Sequence, residues 1–284
     1  MSFLARFRRI IAVNHETQEE VAAQPLHACW RWAAARVRGE LHERLNQPLQ
    51  DAYAFAHRPE ALFMAVADGA GSTSNGGRGA ILLTRHLRQR FRETPAEELG
   101  DAALRQWILE ADERMHALAR RRECAVWDFS TTLLAVIATD DAFHVAQVGD
   151  SSIAVAGADG EWDLLCWPKN GEYSNVTFFV PLRTLEDMHL YTFRNTQACT
   201  SLALFTDGIA DLGVSDAGVA NGFFNYWLAP LLQRSQCGHH HDISLAMRQR
   251  LREHPAIRER TEGVGDDRTL IIATRGAPCP PATT

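Results

Sequence analysis

The chain contains 284 residues, of which 46% are hydrophobic and 23% are charged, a balance typical of folded globular proteins. This composition excludes a disordered chain, a collagen-like chain and a small protein built on disulfides. Acidic residues outnumber basic ones by 35 to 29, and the resulting formal charge of −6 argues against a general nucleic-acid-binding protein.

No apolar run approaches the roughly 20 residues that a membrane-spanning helix needs, so we expect no membrane span. The arginine-rich N-terminus lacks the uninterrupted apolar core of a secretory signal. The cysteines are scattered, without a CxxC pair or metal-type spacing, and we interpret all six as reduced side chains of a cytoplasmic protein. They are Cys29, Cys124, Cys166, Cys199, Cys237 and Cys279.

Short apolar or alternating segments, separated by turn residues, predict a series of β-strands. In chain order they are 53–56, 62–67, 131–138, 143–148, 153–156, 162–166, 202–206 and 269–274. Asp140-Asp141 and Ala158-Asp159-Gly160 stand between strand pairs, in the positions of hairpin turns. The last two strands are apolar on both faces, which is typical of strands covered on both sides.

Helical periodicity is clearest in two segments. Leu83, Leu87 and Phe91 recur every four residues, and the apolar residues between 104 and 118 follow the spacing of one buried helix face. The intervening TPAEE (94–98) predicts a capped helix start, and two further helices are predicted near 223–233 and 243–253. Antiparallel strands with helices gathered in pairs predict an α+β fold, and one domain with two sheets fits this pattern.

Aspartates stand at the ends of the predicted strands. They are Asp51, Asp68, Asp150, Asp207 and the adjacent pair Asp266 and Asp267. A carboxylate at a strand terminus is held by the sheet yet faces a loop, and several that converge form the oxygen-rich site that Mg²⁺ or Mn²⁺ prefers. Aspartate after a strand is also a common turn former, and Asp159-Gly160 is an example. The position of an aspartate alone therefore does not distinguish a metal ligand from a turn residue.

Four motifs carry a resemblance to a known family. They are AVADGAGS (65–72), STTLLAVI (130–137) with VGDSS (148–152), LALFTDGIAD (202–211) and GDDRTLIIA (265–273). In order and spacing they resemble the motifs of the metal-dependent protein phosphatases, the protein phosphatase 2C family. The resemblance extends from about residue 36 to 274, and GELHERLNQPLQDAYA (39–54) and GEYSNVTFF (171–179) resemble a bacterial branch.

The resemblance implies a four-layer αββα sandwich, in which two antiparallel sheets are flanked by helix pairs. It implies a catalytic domain over 31–275, with an N-terminal extension over 1–30 and a flexible tail over 276–284. The implied activity is hydrolysis of phosphoserine and phosphothreonine in proteins by a water that bridges two Mn²⁺ or Mg²⁺ ions. The implied partners are a phosphorylated protein substrate and a serine/threonine kinase that opposes the phosphatase; no oligomeric state is predicted.

The resemblance also implies roles for individual residues. By matching position, Asp68 bridges both metal ions and the carbonyl of Gly69 binds one of them. Asp207 and Asp266 are the outer carboxylates. Asp150 matches an acid of a third, weaker metal site, which Asp207 would share.

The remaining matched positions concern phosphate binding and catalysis. Asp51 would hold a metal-bound water. The family's phosphate-binding arginine lies five residues before that aspartate, where this chain has Asn46. The candidates to replace it are Arg36, Arg38 and Arg44, although for each of them an ordinary solvated surface charge is the favoured interpretation.

Two further positions depart from the family pattern. Ala70 replaces the histidine that commonly follows the Asp-Gly pair, and His42 is the candidate to protonate the leaving group instead. Asp267 replaces a common asparagine, so either adjacent acid can be the metal ligand; we favour Asp266. The segment 169–177 is expected to cover the cleft, with Glu172 and Asn175 as substrate contacts or as parts of a plain polar loop.

Alternatives to this interpretation remain open. A pseudophosphatase would keep the fold as a binding or signalling module, and a phosphatase could act on small phosphoesters. The segment CGHHHD (237–242) offers zinc ligands, but no second cluster has ligand spacing, so a surface loop before a helix is favoured. Trp30, Trp32 and Trp107 are expected in the core or at an interface.

Overall fold

The computed structural model describes residues 29–167, 177–194, 196–215, 218–253 and 265–276. Two sheets pack face to face with helices on both outer faces, so the predicted α+β sandwich is confirmed. The expected extension up to residue 28, the tail after residue 276 and all but the last residue of the 169–177 segment lie outside the described residues.

The strands are β1 (Cys29–Val37), β2 (Ala52–Arg58), β3 (Ala61–Ala67), β4 (Leu133–Ala138), β5 (Ala142–Val148), β6 (Ser152–Gly157), β7 (Trp162–Cys166), β8 (His189–Arg194), β9 (Cys199–Phe205), β10 (Val214–Ser215), β11 (Gly218–Val219), β12 (Gly238–His239) and β13 (Arg268–Gly276). The six-stranded sheet has the order β12-β1-β13-β9-β6-β7, and the five-stranded sheet has the order β2-β3-β4-β5-β8. Neighbouring strands within them are antiparallel except for β1 and β12, which are parallel. The short strands β10 and β11 pair only with each other among the described residues.

The helices are α1 (Glu40–Arg44), α2 (Gly76–Glu93), α3 (Asp101–Arg122), α4 (Asp207–Gly213), α5 (Asn221–Leu232) and α6 (His241–Glu253). Three apolar layers hold the sandwich together. One lies between the two sheets, one between the five-stranded sheet and the helices α2 and α3, and one between the six-stranded sheet and α5 and α6. Every residue of β3 is buried because that strand is covered on both faces.

The predicted strands and helices are all present, and Trp30, Trp32 and Trp107 are buried as expected. The structure adds β1, β8 and the two-residue strands β10, β11 and β12, together with the short helices α1 and α4, which the sequence patterns did not indicate. The predicted helix start at TPAEE was wrong: Ala96–Glu98 is a separate 3₁₀ turn, and α3 begins at Asp101.

The structure also corrects the expectation that all six cysteines are reduced. Cys29 and Cys237 form a disulfide, with their Cα atoms 5.3 Å apart. The parallel pairing of β12 with β1 brings them together from 208 residues apart, a separation at which sequence spacing carries no signal. Cys124, Cys166 and Cys199 are free as predicted, and Cys279 lies outside the described residues.

None of the helices in the described ranges is long and apolar enough to cross a membrane. The segment CGHHHD contributes β12 and the first residues of α6, so it is a short edge strand before a helix rather than a free loop. Neither of the two groups of candidate metal ligands found among the described residues includes its histidines.

Candidate functional site

Three of the predicted carboxylates converge where the two sheets meet at one end of the sandwich. Asp68 follows β3 of the five-stranded sheet, while Asp207 follows β9 and Asp266 precedes β13 in the six-stranded sheet. One carboxylate oxygen from each lies within 4.8 Å of the others. Since the acids come from both sheets, the packing of the sandwich itself creates this acidic cluster.

Asp51 and Asp150 border the acidic cluster. Asp51 precedes β2 and is only 1% exposed; its Oδ2 accepts a hydrogen bond of 2.9 Å from the Thr206 hydroxyl. Its buried Oδ1 has no hydrogen-bond partner among the described residues. Asp150 follows β5 and accepts a hydrogen bond of 2.6 Å from the Thr177 hydroxyl. The structure thus brings together all five acids that were predicted as site residues.

Two threonines fix the backbone that carries Asp68. The amide of Asp68 donates to the hydroxyl of Thr132, and its carbonyl accepts from the amide of Thr132 and the hydroxyl of Thr131. Gly69 then passes so close to the start of α2 that a Cβ atom there would lie 2.3 Å from the carbonyl carbon of Gly76. The backbone at Asp68 and Gly69 is therefore fixed from both sides.

Sequence reasoning did not assign roles to Thr131, Thr132, Thr177 or Thr206. Thr131, Thr132 and Thr206 lie inside the quoted motifs STTLLAVI and LALFTDGIAD. A hydroxyl beside a strand-end acid was the available signal, because a buried carboxylate needs hydrogen-bond donors.

The carboxyl groups of the acidic cluster raise one another's pKa. Burial is the largest cause for Asp68, followed by the charges of Asp51, Asp207 and Asp266, and its pKa lies well above the usual value. Burial and then Asp266 and Asp150 raise the pKa of Asp207. Burial and the nearby Asp267 raise the pKa of Asp51 to about 7. Repelling acids in a buried site are costly unless a cation offsets them.

The residues present fit a pair of divalent cations. The donors are carboxylate oxygens, which Mg²⁺ and Mn²⁺ prefer, and they come from fixed backbone. The unpartnered Oδ1 of Asp51 provides a further oxygen acceptor beside the acidic cluster.

The two adjacent acids before β13 have different surroundings. Asp267 is 1% exposed, and its two oxygens accept hydrogen bonds of 2.8 Å from the amide of Gly39 and 2.6 Å from that of Gln50. Asp266 is 41% exposed at its side chain and belongs to the acidic cluster. The hydrogen bonds of Asp267 therefore connect β13 to the segment that leads to Asp51.

His42 lies between these two acids. It is 4% exposed, its Nδ1 lies 3.0 Å from Oδ2 of Asp267, and its Nε2 lies 3.7 Å from Oδ1 of Asp266. Nδ1 therefore lies against Asp267 without a hydrogen bond of normal geometry in the described ranges, while Nε2 lies on the side of Asp266. The structure places this predicted residue at the edge of the acidic cluster, beside both acids that precede β13.

Two of the three arginines considered as phosphate ligands support the backbone. Arg36 donates through Nη1 to the carbonyl of Asp51, and Arg38 donates to the carbonyls of His42 and Glu43 at 3.2 Å. Both therefore hold the segment between β1 and β2 in place. Asn46, which replaces the family's arginine, is exposed and has a φ of 53°.

Gly208 tests how closely the start of α4 must approach the backbone just before β13. A Cβ atom at this position would lie 2.1 Å from the carbonyl oxygen of Asp267. We expect Gly208→Ala to destabilise the protein by about 1–3 kcal/mol or more, because one backbone must move. Gly222→Ala, in α5 with nothing within 4 Å, should be neutral or stabilising. Thermal unfolding of both variants measures the difference, and equal stability would contradict the close approach.

The comparisons with known proteins agree with this geometry. The profile of the family described as Protein phosphatase 2C matches residues 38–253. Serine/threonine-protein phosphatase 3 of Escherichia coli K12 is 33% identical over 256 residues, which cover 86% of this chain and 98% of that protein.

Two solved structures share the fold. The serine/threonine phosphatase Stp1 from Staphylococcus aureus superimposes with a TM-score of 0.62 at 15% identity, covering 93% of this chain and 100% of that one. The catalytic domain of the serine/threonine protein phosphatase PstP, in complex with two manganese ions, gives a TM-score of 0.58 at 16% identity. That alignment covers 88% of this chain and 100% of the PstP domain.

Proposed function

Because this chain belongs to the protein phosphatase 2C family, we propose that it is a serine/threonine protein phosphatase that depends on two Mn²⁺ or Mg²⁺ ions. The observation that carries the proposal is the convergence of Asp68, Asp207 and Asp266 within 4.8 Å. The relative at 33% identity is itself a serine/threonine phosphatase, and the PstP domain holds two manganese ions.

We assign the metal ligands from matching position and from the placement of the acids. Asp68 would be the ligand shared by the two ions, the Gly69 carbonyl would bind one of them, and Asp207 and Asp266 would be the outer carboxylates; Asp150 would serve a weaker third site beside Asp207. When bound, the ions neutralise the phosphate ester and activate a water for attack on phosphorus. The raised pKa values of Asp68 and Asp207 support the assignment, because bound cations would offset both burial, the largest cause, and the repulsion between the acids.

Asp51 and His42 act on protons and water in this proposal. The unpartnered Oδ1 of Asp51 orients a water beside the acidic cluster, while Thr206 holds the other oxygen. Nδ1 of His42 lies 3.0 Å from Oδ2 of Asp267, so Nε2, on the side of Asp266, is the nitrogen that we assign to protonation of the leaving alkoxide.

Hydrolysis of p-nitrophenyl phosphate and of a phosphothreonine peptide tests the proposed function. We expect turnover with Mn²⁺ or Mg²⁺ and none in EDTA. Cleavage of the aryl ester alone would favour small phosphoesters as substrates. A folded protein that binds metal ions and cleaves neither compound would contradict the proposal and support a pseudophosphatase.

The leaving group distinguishes two roles of His42. The threonine alkoxide needs a proton and p-nitrophenolate does not, so an acid accelerates only the former, typically by about 10²–10⁴-fold. We expect His42→Gln to lower kcat for the phosphothreonine peptide far more than for p-nitrophenyl phosphate. Equal losses on both substrates would mean that His42 positions Asp266 instead.

The pseudophosphatase alternative is less favoured. A module used only for binding has no need to keep five acidic side chains that destabilise one another without cations. We propose a phosphorylated protein as the natural substrate, with a serine/threonine kinase that supplies it.

A further inference from the structure

A second pocket lies at the edge of the sandwich, away from the acidic cluster. It has a volume of about 310 Å³ and is formed by the end of β1, the start of β2 and the first turns of α6. β2 is the edge strand of the five-stranded sheet, and β1 lies next to the two-residue edge strand of the other sheet. Asp68, Asp207 and Asp266 do not line the pocket.

The charged groups around this pocket are cationic. Arg36 and Arg248 line it together with the imidazoles of His239 and His241, and no carboxylate is found among the described residues of its wall. Arg248 is exposed and has no ion-pair partner in the described ranges. Two arginines thus line one cavity whose described wall has no carboxylate to balance their charges, and a bound anion would provide that balance.

Nearby acids are already engaged elsewhere. The carboxylate of Asp51 accepts from the Thr206 hydroxyl and does not line the pocket, while Asp242 pairs with Arg234. Neither is therefore available to neutralise Arg36 or Arg248.

The rest of the wall is suited to the body of a small ligand. Tyr53, Leu49 and Leu245 provide apolar surface, and the pocket is large enough for a phosphate together with the group that carries it. Tyr53 stacks on Phe55, which in turn contacts the ring of His239 at 4.6 Å between centroids. The wall is thus preformed by packed aromatic rings.

We propose that this pocket binds a phosphomonoester through Arg36 and Arg248, separately from the acidic cluster. Two arginines match the double charge and planar fork geometry that phosphate recognition uses, whereas a carboxylate would satisfy only one of them. Arg36 also donates to the carbonyl of Asp51, so the occupied pocket contacts the backbone of the site. The ligand is either a second phosphorylated residue of a protein substrate or a free phosphorylated compound.

Binding of phenyl phosphate to the protein in EDTA tests this inference without any need for turnover. We expect saturable binding in a ³¹P NMR titration, about fivefold weaker in Arg248→Gln and unchanged in Arg252→Gln, an exposed arginine of the same helix outside the pocket. Phenylacetate, the carboxylate counterpart, should bind more weakly than phenyl phosphate. Absence of saturable binding, an unchanged affinity in Arg248→Gln, or an equal loss in Arg252→Gln would overturn the proposal.

Peptides with one or two phosphothreonines identify the source of the ligand. A gain in affinity from the second phosphate that disappears in Arg248→Gln would indicate a doubly phosphorylated substrate. Binding of phenyl phosphate with no such gain would indicate a free phosphorylated compound. Since these titrations use metal-free protein, failure of the proposed catalytic function would leave their outcome unaffected.

Discussion

Metal-dependent turnover is expected to disappear in the Asp68→Asn variant. The amide keeps the shape of the side chain but removes the charge that would bridge two cations, and it leaves the backbone bonds to Thr131 and Thr132 intact. We expect a loss larger than the roughly 10²–10³-fold that removal of one oxyanion donor costs other enzymes. Hydrolysis of p-nitrophenyl phosphate and of a phosphothreonine peptide with Mn²⁺ measures it.

When no metal is present, the same substitution should raise the stability of the protein, although it abolishes turnover. Folding raises the pKa of Asp68 through burial and through its acidic neighbours. Such a carboxyl destabilises the fold progressively as pH rises from its unfolded towards its folded pKa, so at pH 8 the wild-type protein bears this cost. Metal-free Asp68→Asn should therefore unfold at a higher temperature than the metal-free wild type. Added Mn²⁺ should stabilise the wild type and have much less effect on the variant.

Asp159→Asn is the matched control, because Asp159-Gly160 is the Asp-Gly pair that sequence reasoning assigned to a turn. Among the described residues, its Oδ1 accepts a hydrogen bond from the nearby amide of Glu161, in the turn between β6 and β7. Turnover and metal-induced stabilisation should both survive this change. An Asp68→Asn protein that retains turnover would exclude Asp68 as the bridging ligand.

The sequence predicted those parts of the fold that local patterns encode. Alternating and fully apolar segments marked eight of the strands, and aspartates at their ends marked all five acids that the structure brings together. Strand ends are informative because a sheet fixes their direction, so acids placed there can meet even when they are far apart in sequence.

The features that sequence reasoning missed depend on distant pairings. β1 reads CWRWAAARV and pairs along its whole length with β13, over 230 residues later, a match that no local period reveals. The Cys29–Cys237 disulfide depends on the same edge of the sheet. β8 is an edge strand in which no residue is fully buried, so its apolar signal is weak.

The sequence did not show whether Asp266 or Asp267 binds metal, because both occupy the same strand end. In the structure the two acids differ in their contacts with backbone amides of a segment over 200 residues earlier in the chain. Asp267 uses both oxygens on the amides of Gly39 and Gln50, whereas Asp266 faces the acidic cluster. The assignment of Asp266 as the ligand therefore leads to a reciprocal prediction for the two positions.

Asp267→Asn should lower stability and leave metal binding largely intact. An amide offers one acceptor where two amide N–H groups now donate to two oxygens, so one buried N–H would face an NH₂ group. An unsatisfied buried donor costs about 1–3 kcal/mol, and a loss of about 2 kcal/mol lowers Tm by roughly 4–8 °C in a protein of this size. Thermal unfolding in EDTA measures this effect without interference from metal ions.

Asp266→Asn should show the opposite pattern. Because this side chain is 41% exposed and repels Asp68 and Asp207, its loss should not reduce the stability of the metal-free protein. The affinity of the Asp266→Asn variant for metal ions should fall by more than roughly 10–100-fold, which is the loss caused by removing a residue that only supports a metal ligand. Calorimetric titration with Mn²⁺ compares the two variants directly. If Asp267→Asn loses metal affinity while Asp266→Asn keeps it, the ligand is Asp267, and the hydrogen bonds that hold Gly39 and Gln50 must then rearrange when metal binds.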